Sequence, residues 1–275
     1  MTMAAEGDEA AFRALLEQVA RERGFACANY KDGCLRRRVA VRMRARGSTD
    51  FAAYAALLQR DPSEYERLMD TLTINVTRLY RDADVWDTVA EQVLPALWPA
   101  TADGMSVWSA GCASGEELFT LAALLHRHAE RTGTLARLRD TQVLGSDIDA
   151  ASLRAARAGQ FAEAAFKEMP PALRDRYFTG VGTRTAVPEL QALVRVERRD
   201  LLMDPPPPMR FDLISCRNLL IYIDRDGQER IFRRFHAALA PHGLLVLGKV
   251  ETMLGPARAL FAPVHPRQRI FRKVP

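Results

Sequence analysis

From about residue 85 to the end of the chain, helical segments alternate with short apolar segments, and this alternation constrains the fold more than any other feature. Strands are predicted at 105–109, 141–146, 194–197, 211–215, 244–247 and 269–272, with helices at 85–97, 116–131, 150–158 and 226–239. Such alternation favours an α/β fold with a mostly parallel sheet and helices on both faces. Ligands of these sheets lie beyond the carboxyl ends of the strands, so polar residues there are the candidate binding residues.

The first 75 residues lack a strand pattern and are predicted to be helical throughout. A helix is predicted to begin at Asp61, where Asp61 suits the N-cap and Pro62 the first helical position, while Glu64 can close a capping box. We therefore divide the chain into a small all-helical domain, residues 1–75, and an α/β domain, residues 76–275.

The composition excludes several classes of protein. No apolar run approaches the roughly 20 residues of a membrane span, and the first residues, MTMAAEGDEAAF, lack the apolar segment of a signal peptide. The four cysteines show no metal-ligand spacing. We expect a cytoplasmic monomer with reduced cysteines, no bound metal and no direct membrane insertion.

A cluster of seven basic residues follows the first helix: Lys31, Arg36, Arg37, Arg38, Arg42, Arg44 and Arg46. If residues 35–46 form a helix, Leu35, Val39 and Met43 pack inward. Arg37 and Arg44 then lie on the opposite face. That face can be simply solvated, or it can bind nucleic acid or an acidic protein. No aromatic residue interleaves the arginines, as single-strand binding would require, so nucleic acid is not expected.

The first strand of the α/β domain leads into a glycine loop with Gly111 and Gly115, which would let the backbone approach a bound nucleotide. A dinucleotide favours the spacing GxGxxG and places its pyrophosphate at the helix N-terminus. Here Glu116 and Glu117 occupy that first turn and would repel a pyrophosphate. The positive sulfonium and ammonium of S-adenosylmethionine would instead be attracted to these carboxylates. Alternatively, both glutamates only compensate the helix dipole.

Two aspartates end the second strand, Asp147 and Asp149. An acidic residue at this strand end commonly holds the hydroxyls of a ribose. Asp149 directly precedes a predicted helix and suits its N-cap, so Asp147 is the candidate for the ribose. Asp200 and Leu201 follow a later strand and could lie beside an adenine, with a solvated loop aspartate as the alternative.

Five segments carry a more specific pattern: INVTRLYRD (74–82), VWSAGCASGEE (107–117), LGSDIDAASLRAARAGQF (144–161), FDLISCRNLLIYID (211–224) and LLVLGKVE (244–251). In this order and spacing, over nearly the whole chain, they resemble the S-adenosylmethionine-dependent chemotaxis receptor methyltransferases, the CheR family. The NxTxxxR pattern and the run CRNLLIYID are the most specific parts.

The resemblance implies a helical domain followed by a Rossmann-like class I methyltransferase domain. It also implies methyl transfer from S-adenosylmethionine, leaving S-adenosylhomocysteine, to glutamate side chains on the cytoplasmic helical bundle of chemoreceptors. We expect the basic helix to contact this acidic substrate through Arg37, Arg38, Arg42 and Arg44.

The resemblance also implies roles for single residues. Asn75, Thr77 and Arg81 would line the methionine end of the cofactor. Glu117 would hold its amino group and Asp147 its ribose, beside the backbone of Gly111. Asp200 and Leu201 would lie by the adenine, Arg217 and Asn218 would close the pocket, and Tyr222 would lie near the transferred methyl. Without the resemblance, Arg81 could be only a surface cap and Tyr222 a core residue.

The chain departs from the family pattern in four places. Asp200 replaces a frequent asparagine, GKVE with Lys249 replaces the usual GHSE, and LYR replaces FFR. The stretch between Tyr177 and Asp200 is shorter than the insertion that, in some members, docks a receptor's C-terminal tail peptide. The alternatives to receptor methylation are a non-catalytic S-adenosylmethionine-binding adaptor, with Lys249 and Asp200 as the suspect changes, and a small-molecule methyltransferase that has no use for the basic helix.

Overall fold

The structure is a computed structural model that describes residues 2–73, 77–101 and 104–275, with side chains described from residue 7 onward. The chain forms two compact units. The first comprises Met1–Ile74 and Tyr222–Gln228, and the second comprises Asn75–Ile221 and Glu229–Pro275. Residues 222–228 lie within the α/β domain predicted from the sequence, whereas their contacts group them with the helical unit.

The first unit is built from four helices: α1 (Thr2–Arg23), α2 (Asp32–Arg46), α3 (Phe51–Arg60) and α4 (Pro62–Leu72). Its core consists of apolar side chains that recur at helical spacing and are almost fully buried: Phe12, Leu15, Val19, Leu35, Val39, Tyr54, Leu58 and Leu68. Gly47 ends α2 in the left-handed conformation, with φ 66°, which glycine adopts without steric cost. The helical prediction for this segment is therefore confirmed for the described residues.

The start of α4 agrees with the sequence only in part. The carboxylate of Asp61 accepts hydrogen bonds from the backbone N–H groups of Ser63 and Glu64, as an N-cap does. The predicted capping box is wrong, because Glu64 turns into the core and binds Arg42 and Tyr54 instead. A buried carboxylate is costly without hydrogen-bond donors, so the contacts of Glu64 with Arg42 and Tyr54 stabilise the fold more than a second cap on α4 would.

The segment 222–228 is held within the helical unit by backbone contacts. Ile223 pairs with Tyr30 in an isolated antiparallel bridge. The carbonyl of Tyr222 accepts a hydrogen bond from the Lys31 N–H at 2.9 Å, and the Asp224 N–H donates to the carbonyl of Asn29 at 2.9 Å. These bonds satisfy backbone groups that an irregular segment would otherwise leave unpaired.

The second unit contains the strands β1 (Ser106–Ala110), β2 (Gln142–Asp147), β3 (Gln160–Ala162), β4 (Phe178–Thr179), β5 (Thr183–Ala186), β6 (Val194–Arg198), β7 (Phe211–Cys216), β8 (Leu239–Leu247), β9 (Phe261–His265) and β10 (Ile270–Lys273). Its helices are α5 (Ala83–Thr88), α6 (Leu94–Leu97), α7 (Glu116–Arg131), α8 (Ala150–Ala158), α9 (Pro171–Tyr177) and α10 (Pro188–Leu193), while α11 (Arg225–Ala238) begins in the segment grouped with the first unit. A π-helical turn, Val89–Val93, joins α5 to α6.

Seven strands form the main sheet in the order β6-β2-β1-β7-β8-β10-β9. The neighbours from β6 to β8 are parallel, and β10 is antiparallel to both β8 and β9. The chain proceeds outward from β1 to β2 and β6 on one side, and from β7 to β8 on the other. The topological switch point therefore lies between β1 and β7, where α/β sheets bind ligands at the carboxyl ends of their strands.

The expected mostly parallel α/β sheet is confirmed, and α7 and α8 have the predicted bounds. Several features were not predicted, among them the short helices α9 and α10. β8 begins at Leu239 and runs through the expected turn at 241–243. β9 was missed, and β3, β5 and β4 form a separate three-stranded antiparallel sheet. No helix in the described part of the chain is long and apolar enough to cross a bilayer.

Candidate functional site

The glycine loop leaves β1 at its carboxyl end and bends back over the sheet. Gly111 and Gly115 have positive φ angles of 84° and 99°, which favour glycine. The N–H groups of Gly111 and Cys112 both donate to the carbonyl of Ser146 in β2. A side chain at position 111 would force Leu219 to move, since its Cβ would lie 2.7 Å from Leu219 Cδ2. The loop thus keeps its backbone close to the ends of three strands, β1, β2 and β7.

The two glutamates of the first turn of α7 have different surroundings. Glu116 is buried and accepts a hydrogen bond from Ser114 Oγ at 2.7 Å, and its burial raises its pKa. Glu117 accepts a hydrogen bond from Ser109 Oγ at 2.9 Å and lies 3.5 Å from Arg217 Nη1. Glu116 is therefore bound to Ser114 of the glycine loop, while Glu117 is directed to the ends of β1 and β7.

Asp147 lies at the end of β2, next to the glycine loop. Its Oδ2 accepts the Ala113 N–H at 2.9 Å, and its Oδ1 accepts the Asp149 N–H at 3.0 Å. Burial raises the pKa of Asp147, while these two backbone hydrogen bonds oppose the rise. Asp149 accepts hydrogen bonds from the N–H groups of Ala151 and Ser152, so its role as the N-cap of α8 is confirmed.

This donor and acceptor set fits S-adenosylmethionine better than a dinucleotide. Glu116, Glu117 and Asp147 place negative charge around the loop and at the start of α7, where a pyrophosphate would be repelled. The same carboxylates suit the ammonium and sulfonium charges and the hydroxyls of a ribose. In the described part of the chain, no group of three or more His, Cys, Asp or Glu residues is placed to hold a metal ion.

Arg217 follows β7 and its side chain is only 2% exposed. Its Nη2 donates to Asp82 Oδ2 and to the carbonyl of Arg81, both at 2.8 Å. Its guanidinium also lies 4.7 Å from the ring centre of Trp86. Arg217 Nε is buried without a hydrogen-bond partner among the described residues. Arg217 is thus a buried cation held between Asp82 and Glu117 beyond the carboxyl end of β7.

The remaining predicted cofactor residues differ in what surrounds them. Asp200 Oδ1 accepts the N–H groups of Leu202 and Met203, at 2.8 and 3.3 Å, so this carboxylate stabilises its own turn. The carbonyl of Leu201 accepts a hydrogen bond from Arg234. Asn218 has a positive φ of 61°.

Three predicted residues lie around the start of the second unit. Thr77 and Arg81 are half-buried, and the carbonyl of Arg81 is bound by Arg217. Asn75 lies outside the described residues.

Tyr222 is the one predicted site residue of the CRNLLIYID run that belongs to the helical unit by its contacts. The guanidinium of Arg38 lies 5.5 Å from the centre of its ring, within the range of a cation–π interaction. Arg38 Nη1 also donates to the carbonyl of Thr71, at the end of α4. Tyr222 is half-buried, and its role near the transferred methyl remains a prediction.

The four arginines predicted to contact a substrate divide into two pairs. Arg37 and Arg44 are exposed, and neither forms an ion pair with another described residue. Arg42 and Arg38 are half-buried, and they make internal contacts: Arg42 binds the buried Glu64, and Arg38 binds Thr71 and Tyr222. The substrate role of all four arginines remains a prediction.

Sequence reasoning missed several residues that shape the site. Asp82, Trp86 and Ser109 surround Arg217 and Glu117, and Glu251 binds the loop that follows β7. Asp82 and Glu251 both end segments of the family pattern, so those segments were a signal. Ser109 also lies within such a segment, whereas Trp86 carried no signal, because its spacing matched a helix face.

Comparison with known proteins identifies what the chain is similar to. Residues 75–268 match the family described as CheR methyltransferase, SAM binding domain, and residues 10–73 match CheR methyltransferase, all-alpha domain. An uncharacterized 104.1 kDa protein of Rhodobacter capsulatus is 36% identical over 247 residues, which are 89% of this chain but 25% of that protein. The chain thus spans about a quarter of the length of that relative.

Two shorter relatives are matched over most of their length. A chemotaxis protein methyltransferase of Listeria monocytogenes is 32% identical over 240 residues, covering 87% of this chain and 88% of the relative. The chemotaxis protein methyltransferase of Escherichia coli is 32% identical over 258 residues, covering 88% and 84%.

Proposed function

The chain belongs to the CheR methyltransferase family, which is S-adenosylmethionine-dependent, and from this premise we propose that it methylates glutamate side chains of chemoreceptors, in the cytoplasm, to give methyl esters. The observation that carries the proposal is the pair of carboxylates, Glu117 and Asp147, at the ends of β1 and β2 beside the glycine loop. Relatives named chemotaxis protein methyltransferase support the receptor as the substrate.

The cofactor residues follow from the family motif and the local chemistry. Glu117 would bind the amino group, Asp147 the ribose hydroxyls, and Arg217 the carboxylate of the methionine end. Asp200 and Leu201 would lie beside the adenine. Asp200 would act through Oδ2, because its Oδ1 accepts hydrogen bonds within its own turn. When bound, S-adenosylmethionine supplies a methyl group activated by a positive sulfonium.

The substrate needs no general base. A glutamate side chain has an ordinary pKa of about 4.3 and is already ionised at neutral pH. The protein must bring one carboxylate oxygen into line and remove its water, so positioning supplies most of the rate enhancement. Arg81 suits the steering of a carboxylate, and Tyr222 can donate a hydrogen bond to it. Arg38 would orient the Tyr222 ring within the helical unit.

The exposed arginines of α2 support an acidic protein substrate. Arg37 and Arg44 have no ion-pair partner among the described residues, so their charge remains available to a partner. A helix that carries glutamates for methylation presents negative charge, which these two arginines would attract. A small-molecule substrate would give this face no role.

The test is transfer of a labelled methyl group to a purified receptor cytoplasmic fragment. We expect label on the receptor that is released as methanol by mild base, because a carboxylate methyl ester is base-labile and an N-methyl group is not. A fragment with its acceptor glutamates changed to aspartate is the matched control and should stay unlabelled. Base-stable label would refute the ester. Binding of the cofactor without transfer to any receptor fragment would favour an adaptor.

A further inference from the structure

Glu251 is a buried carboxylate that has no assigned role. Its side chain is 3% exposed, and it lies four residues after the end of β8. Burial raises its pKa, while backbone hydrogen bonds oppose the rise. A charged group in such a place is costly unless several donors bind it.

The donors come from two loops at the same edge of the sheet. Oε1 accepts the N–H groups of Leu219 and Leu220, at 2.9 and 2.7 Å, from the loop that follows β7. Oε2 accepts the N–H of Gly248 at 2.6 Å, from the turn that follows β8. Each oxygen of the carboxylate therefore binds one of the two loops, and the side chain links them.

The same two loops approach too closely for a side chain at position 248. A Cβ there would lie 2.8 Å from the backbone nitrogen of Asn218 and 2.8 Å from Glu251 Oε2. Asn218 has φ 61°, a left-handed conformation that asparagine adopts more readily than most other residues. The hydrogen bonds of Glu251 to the next two residues hold the loop in this conformation.

A third link holds the turn after β8 to α5. Lys249 Nζ lies 2.6 Å from Asp84 Oδ1, and Arg217, one residue before Asn218, binds Asp82 at the start of the same helix. The turn Gly248–Glu251 thus contacts both structures that position Arg217, namely the loop after β7 and the start of α5.

We propose that Glu251 is a positioning residue of the cofactor pocket, which holds the loop after β7 so that Arg217 and Asn218 face the ligand. Glu251 acts through the backbone of Leu219 and Leu220 and makes no contact with the cofactor itself. The inference rests on the assignment of Arg217 and Asn218 to the pocket in the proposed function.

The variant Glu251→Gln tests this role. Glutamine fills the same volume, but its amide nitrogen is a donor and would face an N–H group from one of the two loops. That loop is then released. We expect the affinity for S-adenosylhomocysteine, measured by calorimetry, to fall roughly tenfold or more, as when a charged acceptor of several hydrogen bonds is lost.

The matched control is Asp212→Asn. Asp212 is also a buried carboxylate, and it accepts the Ser106 N–H at 2.9 Å, but it lies at the amino end of β7. Both variants should lower the melting temperature, whereas only Glu251→Gln should weaken ligand binding. Equal weakening in both would mean that general loss of stability explains the effect, and the proposal would be wrong.

A second pair of variants tests the same contact between the two loops by changing Gly248 instead of Glu251. Gly248→Ala pushes the two loops apart without changing a charge, and it should also weaken binding. Its control is Gly243→Ala, which crowds backbone in the middle of β8, where a Cβ would lie 2.9 Å from the carbonyl oxygen of Phe211 at the amino end of β7. If Glu251→Gln fails to fold, this pair decides the question.

The binding measurement needs no receptor. If the parent protein fails to bind S-adenosylhomocysteine, the proposed function fails. If the parent binds, and folded Glu251→Gln or Gly248→Ala binds equally well, only the positioning role of Glu251 is overturned.

Discussion

Arg42 holds the carboxylate of Glu64 through two hydrogen bonds, Nε to Oε1 at 2.9 Å and Nη2 to Oε2 at 2.7 Å, and the Glu64 side chain is completely buried. Tyr54 donates a third bond at 2.8 Å. Burial alone would raise the pKa of Glu64, but the bonds from Arg42 and Tyr54 outweigh it, and the pKa is lowered. An arginine that the sequence assigned to substrate binding thus stabilises the interior of the helical unit.

We therefore predict that Arg42→Met destabilises the helical unit by about 3 kcal/mol, because it leaves a buried carboxylate without its main partner. Arg44→Met, on the exposed face of the same helix, should change stability by less than about 0.5 kcal/mol. Urea unfolding followed by circular dichroism measures both. Equal effects would show that the pair contributes no more than a surface charge.

Asp147→Ala should weaken binding of S-adenosylhomocysteine by roughly 1–3 kcal/mol, since hydrogen bonds to the ribose and to the glycine loop are lost together. Asp149→Ala is the control, because it removes the cap of α8 and should cost about 1 kcal/mol of stability with affinity unchanged. Calorimetry and thermal melts separate the two effects. An unaltered affinity in Asp147→Ala would remove Asp147 from the pocket.

His126 should make stability depend on pH. Burial lowers its pKa, with the charge of Glu130 opposing this effect and that of Arg176 adding to it. His126 Nδ1 lies 3.2 Å from Tyr177 Oη. The folded protein therefore binds a proton less readily than the unfolded chain. Stability should be constant above about pH 6.5 and fall as the pH drops below that value.

His126→Gln should flatten this pH dependence, because glutamine keeps a hydrogen bond to Tyr177 but cannot ionise. Burial also lowers the pKa of His128, so part of the slope should remain until His128→Gln is added. Melting temperatures between pH 5 and 8 provide the measurement. An unchanged slope in the double variant would assign it to other groups.

Replacing Arg37 and Arg44 together by glutamate should raise the KM for receptor, or lower kcat/KM, and flatten its salt dependence. The attraction is screened over about 10 Å at 0.1 M salt. Affinity for the cofactor should not change. Arg131→Glu with Arg139→Glu makes the same change in net charge on exposed residues of the second unit and is the control. Parent-like kinetics of the first double variant at low salt would mean that the substrate binds elsewhere.

Arg81→Ala should abolish most methyl transfer while the protein stays folded, since its proposed task is to orient the substrate carboxylate. Tyr222→Phe should lower kcat by about tenfold, the value of one lost hydrogen bond in the transition state, and leave cofactor affinity intact. Rates with a receptor fragment and a melting curve are needed for each. A fully active Arg81→Ala would remove the residue from the mechanism.

Local sequence rules predicted the elements whose signals lie within one turn or one strand. α8 was bounded correctly because Asp149 caps it and Gly159 ends it, and α7 because the glycine loop precedes it. β9 was missed because Pro263 lies inside it, and proline argues against a strand unless the strand lies at a sheet edge. An edge position cannot be read before the strand order is known.

The site was predictable only as far as its strand ends. Asp147 and Glu117 could be identified because they follow short apolar runs. The contacts of Arg217 could not, because its hydrogen-bond partner Asp82 lies 135 positions earlier in the chain. The prediction for Glu64 was wrong for a related reason: its position three residues after Asp61 matched a capping box, but its carboxylate binds the distant Arg42. Long-range charge pairing in a buried place is decided by packing, which a periodic pattern does not encode.

The strand β10 lies between β8 and β9, so a strand that is synthesised after both of its neighbours is an interior strand of the main sheet. Until residues 270–273 leave the ribosome, β8 and β9 each present an open hydrogen-bonding edge, the kind of edge that recruits other chains into aggregates. A premature stop or a proteolytic cut just before Ile270, which is fully buried, would remove the strand that joins β9 to the rest of the sheet. Expression of such truncated chains should therefore yield inclusion bodies, even though every residue of the candidate cofactor site would still be present.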